Sequence, residues 1–348
     1  MAVKKQENGA EKLKKDLQSG VPGKLYLIYG EEGYLKKYYL DALKTALVAE
    51  TFAEFNLVML EGKGLTPESL SEAVESYPAF AERKLVIVSD FDLYKPPAAF
   101  QNILLDLLGD LPDYICLVFY YDTLTLKPDK RTKMHGLLDK TACFADFSHL
   151  QERKLISWIR RRVRALGKDI DQDTCAYMIF LCGTSMTNLI TEIEKVAAHC
   201  TLDEIKRYNI DSVCTRVLDA VIFDLTDAIT AHRFERAIEI VGDLLAQKNS
   251  EVAIFSAILR HIQRLYAAKL NTQSRGNSKE LLALIGSNSS FYAKKLTDAA
   301  RGVGLEWLRN AVRICGETDA ALKSSAADKQ KIIELALLQM ASDFEGIS

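Results

Sequence analysis

The chain has 348 residues, 48% of them hydrophobic and 26% charged, with only 18 Gly and 7 Pro, a composition that excludes collagen-like and low-complexity chains. At roughly 100–200 residues per domain this length gives two or three domains, each able to bury its own core. Lys+Arg 45 against Asp+Glu 47 leaves a net charge of -2, so no global positive field marks a nucleic-acid binder and any such contact must be local.

Residues 1–20 carry lysine and glutamate with no apolar core of a signal peptide, and no later run reaches the length of a membrane span. The 7 cysteines form no C-x-x-C pair, and several lie in apolar runs where a thiol behaves as a small hydrophobe. A reduced, cytoplasmic protein away from membranes is the expectation.

From residue 24 to 147 short apolar runs alternate with helix-period stretches. Strands are expected at 25–29, 55–60, 85–88, 114–120 and 143–147, with helices near 34–48, 67–76, 98–108 and 130–140. Runs without clean polar alternation suit strands buried on both faces, and helical crossovers between them give a mostly parallel sheet. The first domain reads as α/β.

In such a fold the loop after the first strand is the usual phosphate cradle. Here it reads Gly30-Glu31-Glu32-Gly33-Tyr34-Leu35-Lys36-Lys37. A P-loop requires G-x-x-x-x-G-K-[ST]; Leu35 stands where the second glycine belongs, and the magnesium-binding hydroxyl is missing. Two glutamates at the mouth repel a polyphosphate. The run Gly20-Val21-Pro22-Gly23-Lys24 precedes the strand instead of following it. Asp90, at the end of the third strand, sits where P-loop enzymes order magnesium, but without a phosphate loop it reads as a turn former.

One connection differs from its neighbours. The helix at 67–76 is stopped by Tyr77-Pro78-Ala79-Phe80-Ala81-Glu82-Arg83-Lys84 just before the third strand. Connections are mostly exposed, which makes Phe80 a candidate apolar projection. Aromatics are also mostly buried, so a Phe80 folded back into the core is the competing expectation.

Beyond residue 147 helical periodicity dominates. Leu155, Ile159, Val163 and Leu166 make one apolar stripe and leave Arg161, Arg164 and Lys168 opposite it. The run Arg160-Arg161-Arg162-Val163-Arg164 can meet phosphates or serve as the solvated face of a packed helix. Further helices are expected at 184–199, 234–246, 252–270, 305–314 and 330–340, with a linker at 201–217 and a polar loop at 271–278. Histidines 135, 149, 199, 232 and 261 make no H-E-x-x-H, and no G-x-S-x-G occurs. Glu192 and Glu194 read as solvated charges on different sides of a helix. No residue stands out as catalytic and none as a metal ligand.

Several segments, in order, resemble the family of bacterial DNA polymerase III delta subunits, the clamp-loader component that opens the sliding clamp. They are Leu25-Tyr26-Leu27-Ile28-Tyr29-Gly30-Glu31-Glu32, Tyr77 through Val88, residues 127–140, Glu192-Ile193-Glu194-Lys195-Val196, Phe223-Asp224-Leu225-Thr226-Asp227-Ala228-Ile229, and Asp319-Ala320-Ala321-Leu322-Lys323. Their order and spacing, over about the whole chain, carry the likeness.

The resemblance implies an AAA+ type parallel-sheet domain without a P-loop at 1–147, a small helical domain at 148–212, and a helical collar at 213–348. It implies no cofactor and no catalysis by this subunit, which is part of a DNA-directed DNA polymerase holoenzyme. The partners it implies are the beta sliding clamp, the gamma/tau and delta prime subunits through the collar, and primer-template DNA. The family's clamp-inserting apolar pair falls on Ala79 and Phe80, with Pro78 setting the geometry. Ala79 is smaller than the aliphatic of some members, which shifts the contact onto Phe80. Arg160, Arg161 and Arg164 are the candidate DNA contacts. The two other function classes are an atypical nucleotide-binding kinase or ATPase, and a helical scaffold.

Overall fold

The computed structural model describes residues 9–100, 103–231, 233–324 and 327–345. The expectations for residues 1–8, for positions 101–102 of the helix at 98–108, and for His232 lie outside them. The chain divides into two compact units, Met1–Leu150 and Gln151–Ser348.

In the first unit the elements run α1 (Gly9–Ser19), β1 (Leu25–Tyr29), α2 (Gly33–Leu47), α3 (Ala53–Asn56), β2 (Leu57–Glu61), α4 (Pro67–Glu75), β3 (Lys84–Ser89), α5 (Ile103–Gly109), β4 (Ile115–Tyr120), α6 (Lys133–Thr141) and β5 (Cys143–Asp146). The strands form one sheet in the order β2-β3-β4-β1-β5, and every neighbouring pair is parallel. The expected strands lie within about two residues of these. Phe55 and Asn56 are the exception: they close the short α3 before β2 begins.

Alternation along the strands builds two cores, one on each face of the sheet. Leu25, Leu27, Val86, Val88, Leu117 and Phe119 pack with Leu70, Leu104 and Leu138 of α4, α5 and α6. Their strand neighbours Tyr26, Ile28, Leu85, Ile87, Cys116 and Val118 pack with Leu13 of α1 and with Leu40 and Leu43 of α2. A sheet covered on both faces needs apolar residues at successive positions, which is why these strands show no polar alternation.

The second unit contains α7 (Glu152–Ala165), β6 (Asp169–Ile170), α8 (Gln172–Cys182), α9 (Met186–His199), β7 (Glu204–Ile205) and α10 (Arg207–Val213). These are followed by α11 (Leu218–Thr230), α12 (Phe234–Ala246), α13 (Glu251–Gln273), α14 (Ser278–Ile285), α15 (Ser290–Arg301), α16 (Leu305–Ser324) and α17 (Lys329–Glu345). Helices α11 to α17 share one core, with Phe223, Phe255, Trp307 and Met340 among its buried side chains.

Two expectations change here. Residues 201–217, expected to be a linker, hold β7 and α10, with Ile205 and Ile210 fully buried; the unstructured connection narrows to residues 214–217. Glu192 is not a solvated charge. It is buried, and its Oε2 accepts from the Thr215 N–H at 3.1 Å and from Lys195 Nζ at 2.7 Å. Glu194 does lie on the surface, paired with Arg162 at 2.8 Å.

Candidate functional site

The carboxyl ends of the strands, where open α/β sheets usually bind ligands, are closed by the chain's own groups. Gly30 takes φ +114°, and a Cβ there would stand 2.4 Å from the Phe147 carbonyl carbon, so only glycine fits. The Glu32 N–H then donates to the Phe147 carbonyl at 2.8 Å. The Glu32 side chain is 2% exposed and caps α2, accepting from the Tyr34 N–H at 3.2 Å. That places a carboxylate where a helix N-terminus would otherwise attract a phosphate. Lys36 is also buried, and its Nζ donates to the Tyr121 carbonyl at 2.7 Å.

Asp90 completes this closed edge. Its carboxylate accepts from the N–H groups of Asp122, Thr123 and Leu124 and from the Thr123 hydroxyl, tying the end of β3 to the loop after β4. Burial pushes its pKa up, but the Thr123 hydroxyl and the three amides outweigh this and hold the carboxyl below the usual range. The turn-forming role expected of Asp90 is the one it has.

At the opposite end of the sheet the connection from α4 to β3 is open and apolar. Tyr77 is 80% exposed and Phe80 84%, so Phe80 projects and does not fold back. Its φ is +53°, a left-handed conformation that costs an L-residue roughly 1–2 kcal/mol and is an outlier for a bulky side chain. Strain of this kind persists only where surrounding contacts enforce it.

The contacts are specific. The Tyr77 ring lies 4.9 Å from the Tyr114 ring, whose hydroxyl donates to the Glu75 carbonyl at 2.8 Å. Arg83 reaches under the loop and donates to the carbonyls of Pro22, Gly23 and Ile115. Lys84 is buried and donates to Ser76 Oγ where α4 ends; burial lowers its pKa, against the attraction of Glu72. Arg83 and Lys84 therefore anchor the loop. Phe52 and Asn56, which the sequence pattern did not single out, complete the support. The Phe52 ring stacks on Phe80 at 5.3 Å, and Asn56 hydrogen-bonds both backbone groups of Ala79.

In the second unit, Arg160, Arg161 and Arg164 line one cleft of α7, together with Arg153 and Glu152. Arg161 and Arg164 are exposed, Arg160 half-buried. Arg162 is spent on Glu194. A second cleft of about 970 Å³, which shares Glu152 with the first, adds Arg207, Arg275, Lys294 and Arg301. Glu152 is itself occupied, accepting from Ser289 Oγ at 2.6 Å and from the Ser290 N–H at 2.8 Å at the start of α15.

Among the described residues, Cys182 Sγ, a Glu192 carboxylate oxygen and Cys214 Sγ lie within 4.8 Å of one another. Lys195 and Thr215 already satisfy Glu192. Contact with the Cys182 thiol, followed by burial, pushes the Cys214 thiol up. Glu192 is thus a packed, hydrogen-bonded carboxylate beside two buried or half-buried thiols.

Residues 26–148 match the family model described as DNA polymerase III, delta subunit, and residues 219–340 match that of the DNA polymerase III delta subunit, C-terminal domain. The DNA polymerase III subunit delta of Bacillus subtilis (strain 168) is 24% identical over 338 residues, covering 94% of this chain and 95% of that one. The probable DNA polymerase III subunit delta of Aquifex aeolicus (strain VF5) is 21% identical over 327 residues, 89% of each chain. Among solved structures, the Bacillus subtilis DNA clamp loader delta protein (YqeN) superposes with a TM-score of 0.57 at 22% identity, covering 96% of this chain and 99% of that one.

Proposed function

The chain belongs to the DNA polymerase III delta subunit family, and from that premise we propose that it binds a sliding clamp through Phe80 and favours the clamp's open form. The observation that carries this is the aromatic side chain held 84% exposed in a strained left-handed conformation. Exposure and strain both cost stability, and neither serves the packing of the first unit.

Burying the Phe80 ring in an apolar pocket is worth about 1.5–3 kcal/mol, the size of an interface hot spot. Pro78 and Ala79 are half-buried at the base of the tip and shape it. Opening follows only if the tip binds the open clamp more tightly than the closed one. A 100-fold preference shifts that equilibrium by the same factor.

On this reading the subunit carries out no catalysis of its own within the polymerase holoenzyme and responds to partners that use ATP. The Glu32 carboxylate at the start of α2 supports it and weighs against the nucleotide-enzyme alternative. The packed helices of residues 213–348 would be the collar that meets the gamma/tau and delta prime subunits, with residues 148–212 as a separate small domain. The clefts lined by Arg160, Arg161 and Arg164 and by Arg207 and Lys294 would face the phosphates of primer-template DNA, whose binding should fall steeply with salt. No described helix is long and apolar enough to cross a membrane, in keeping with the proposed cytoplasmic place of work.

The test is complex formation between the purified chain and the sliding clamp of the same organism, by pull-down and size exclusion, for the wild type and Phe80→Ala. A complex with the wild type that Phe80→Ala weakens about 10- to 100-fold is expected. Equal complex formation by both would remove Phe80 from the mechanism.

A further inference from the structure

The Phe80 tip is held by a second segment of chain, the short stretch that enters β2, whose part in clamp docking rests on the function proposed for Phe80. Asn56, the last residue of α3, is 1% exposed. Its carboxamide serves a single residue of the tip: Nδ2 donates to the Ala79 carbonyl at 2.8 Å, and the Ala79 N–H donates to Oδ1 at 2.8 Å. The carbonyl so held belongs to the Ala79–Phe80 peptide. Fixing that plane fixes the frame about which φ of Phe80 turns, and so the direction in which the ring leaves the surface.

Phe52, just before α3, adds the second restraint. Its ring stacks on Phe80 with centroids 5.3 Å apart and planes 30° from parallel. Phe80 stays 84% exposed all the same, so the stack steadies the ring without hiding it. Without these restraints the left-handed backbone, costing roughly 1–2 kcal/mol, would relax and the ring would sample many directions.

We propose that Asn56 is a positioning residue and Phe52 the second aromatic of the docking tip, and that together they pre-organise Phe80 for an apolar pocket on the clamp. The chemistry of position 56 is restrictive. A donor and an acceptor must lie on one planar group that mirrors a peptide. Aspartate loses the donor, glutamine stands one methylene further out, and alanine offers neither. Pre-organisation acts on affinity directly: if the competent conformation falls to about a tenth of the population, the apparent Kd rises about tenfold.

The experiment measures equilibrium affinity of the full chain for the purified clamp. The variants are Phe80→Ala, Asn56→Ala, Asn56→Asp, Phe52→Ala and the double variant Asn56→Ala/Phe80→Ala, each checked for a cooperative melt and for amide exchange at Ala79. Asn56→Ala should weaken binding about tenfold, Phe52→Ala about threefold, and exchange at Ala79 should quicken in the Asn56 variants. Because Asn56 acts through Phe80, adding Asn56→Ala to Phe80→Ala should cost nothing further.

Wild-type affinity in Asn56→Ala despite faster Ala79 exchange would overturn the inference, as would a loss fully additive with that of Phe80→Ala. If Asn56→Ala does not fold, Phe52→Ala and Asn56→Asp decide: weakening supports the inference, and unchanged affinity in both overturns it. Should Phe80→Ala itself bind normally, the clamp reading fails. Should Phe80→Ala bind weakly while the Asn56 and Phe52 variants bind normally, only the positioning role fails.

Discussion

The two ends of the parallel sheet treat their polar and apolar groups in opposite ways. At the carboxyl ends, Glu32 turns inward to cap α2, Lys36 reaches a backbone carbonyl, and Asp90 gathers three amides and a hydroxyl. These three side chains are satisfied within the chain. At the other end, the connection from α4 to β3 is equally well anchored at its base by Asn56, Arg83 and Lys84, yet it presents Tyr77 and Phe80 to solvent. The difference teaches that one parallel sheet can satisfy its polar groups internally at one rim while holding an aromatic ring in solvent at the other. There, rigidity is invested in an exposed ring instead of a concave site.

That comparison can be broken at several points. The largest effect is expected at the closed end. Gly30→Val places a branched side chain at φ +114° and against the Phe147 carbonyl, and should destabilise the first unit by about 3 kcal/mol or more, read as a lowered denaturation midpoint. A wild-type midpoint would show that this turn does not hold β1 to β5.

A smaller effect, confined to acid, is expected at Asp90. Its folded pKa is depressed, so the folded state binds fewer protons than the unfolded state in that range. The stability Asp90 contributes is fully present above the ordinary Asp value of about 4 and is lost as pH falls through the lowered folded value. Asn tolerates the left-handed φ of +52° found there. Asp90→Asn should therefore fold, be about 1–2 kcal/mol less stable at neutral pH, and show a flatter decline of stability below pH 4. An unchanged acid profile would mean the Asp90 cluster contributes nothing.

The smallest effect should come from deleting the most conspicuous side chain. Truncating a core aromatic typically costs about 3–5 kcal/mol. Phe80→Gly should shift stability by less than about 1 kcal/mol, because relief of the left-handed strain offsets the lost stacking on Phe52 and the added chain entropy. A core-sized loss would show that the ring supports the fold and is not held out for a partner.

Much of this architecture could be read from the residues. Five strand runs, the helical second half and the missing P-loop chemistry were legible because they rest on apolar periodicity and on local motif spacing. Helix α8 was not, since Cys175, Ala176, Met178, Ile179, Leu181 and Cys182 are all buried and a helix covered all round loses its amphipathic period. Helix α10 was hidden because only Asn209 and Ile210 of its seven residues are buried. Glu192 looked solvated because its amide partner, Thr215, lies 23 residues further along the chain. In the connection from α4 to β3, Pro78 announced the break in α4. The left-handed backbone of Phe80 and the bridge from Asn56 depend on folded contacts between distant positions, and no local pattern encodes them. The family resemblance brought Phe80 forward; burial preference alone would have folded it inward.

The central claim, that Phe80 is held exposed to enter a pocket on the sliding clamp, is tested most directly by the clamp affinity of Phe80→Gly beside that of the wild type, with both proteins equally well folded. The predicted result is a Kd raised between about 10- and 100-fold with melting nearly unchanged. An unchanged Kd would contradict the claim.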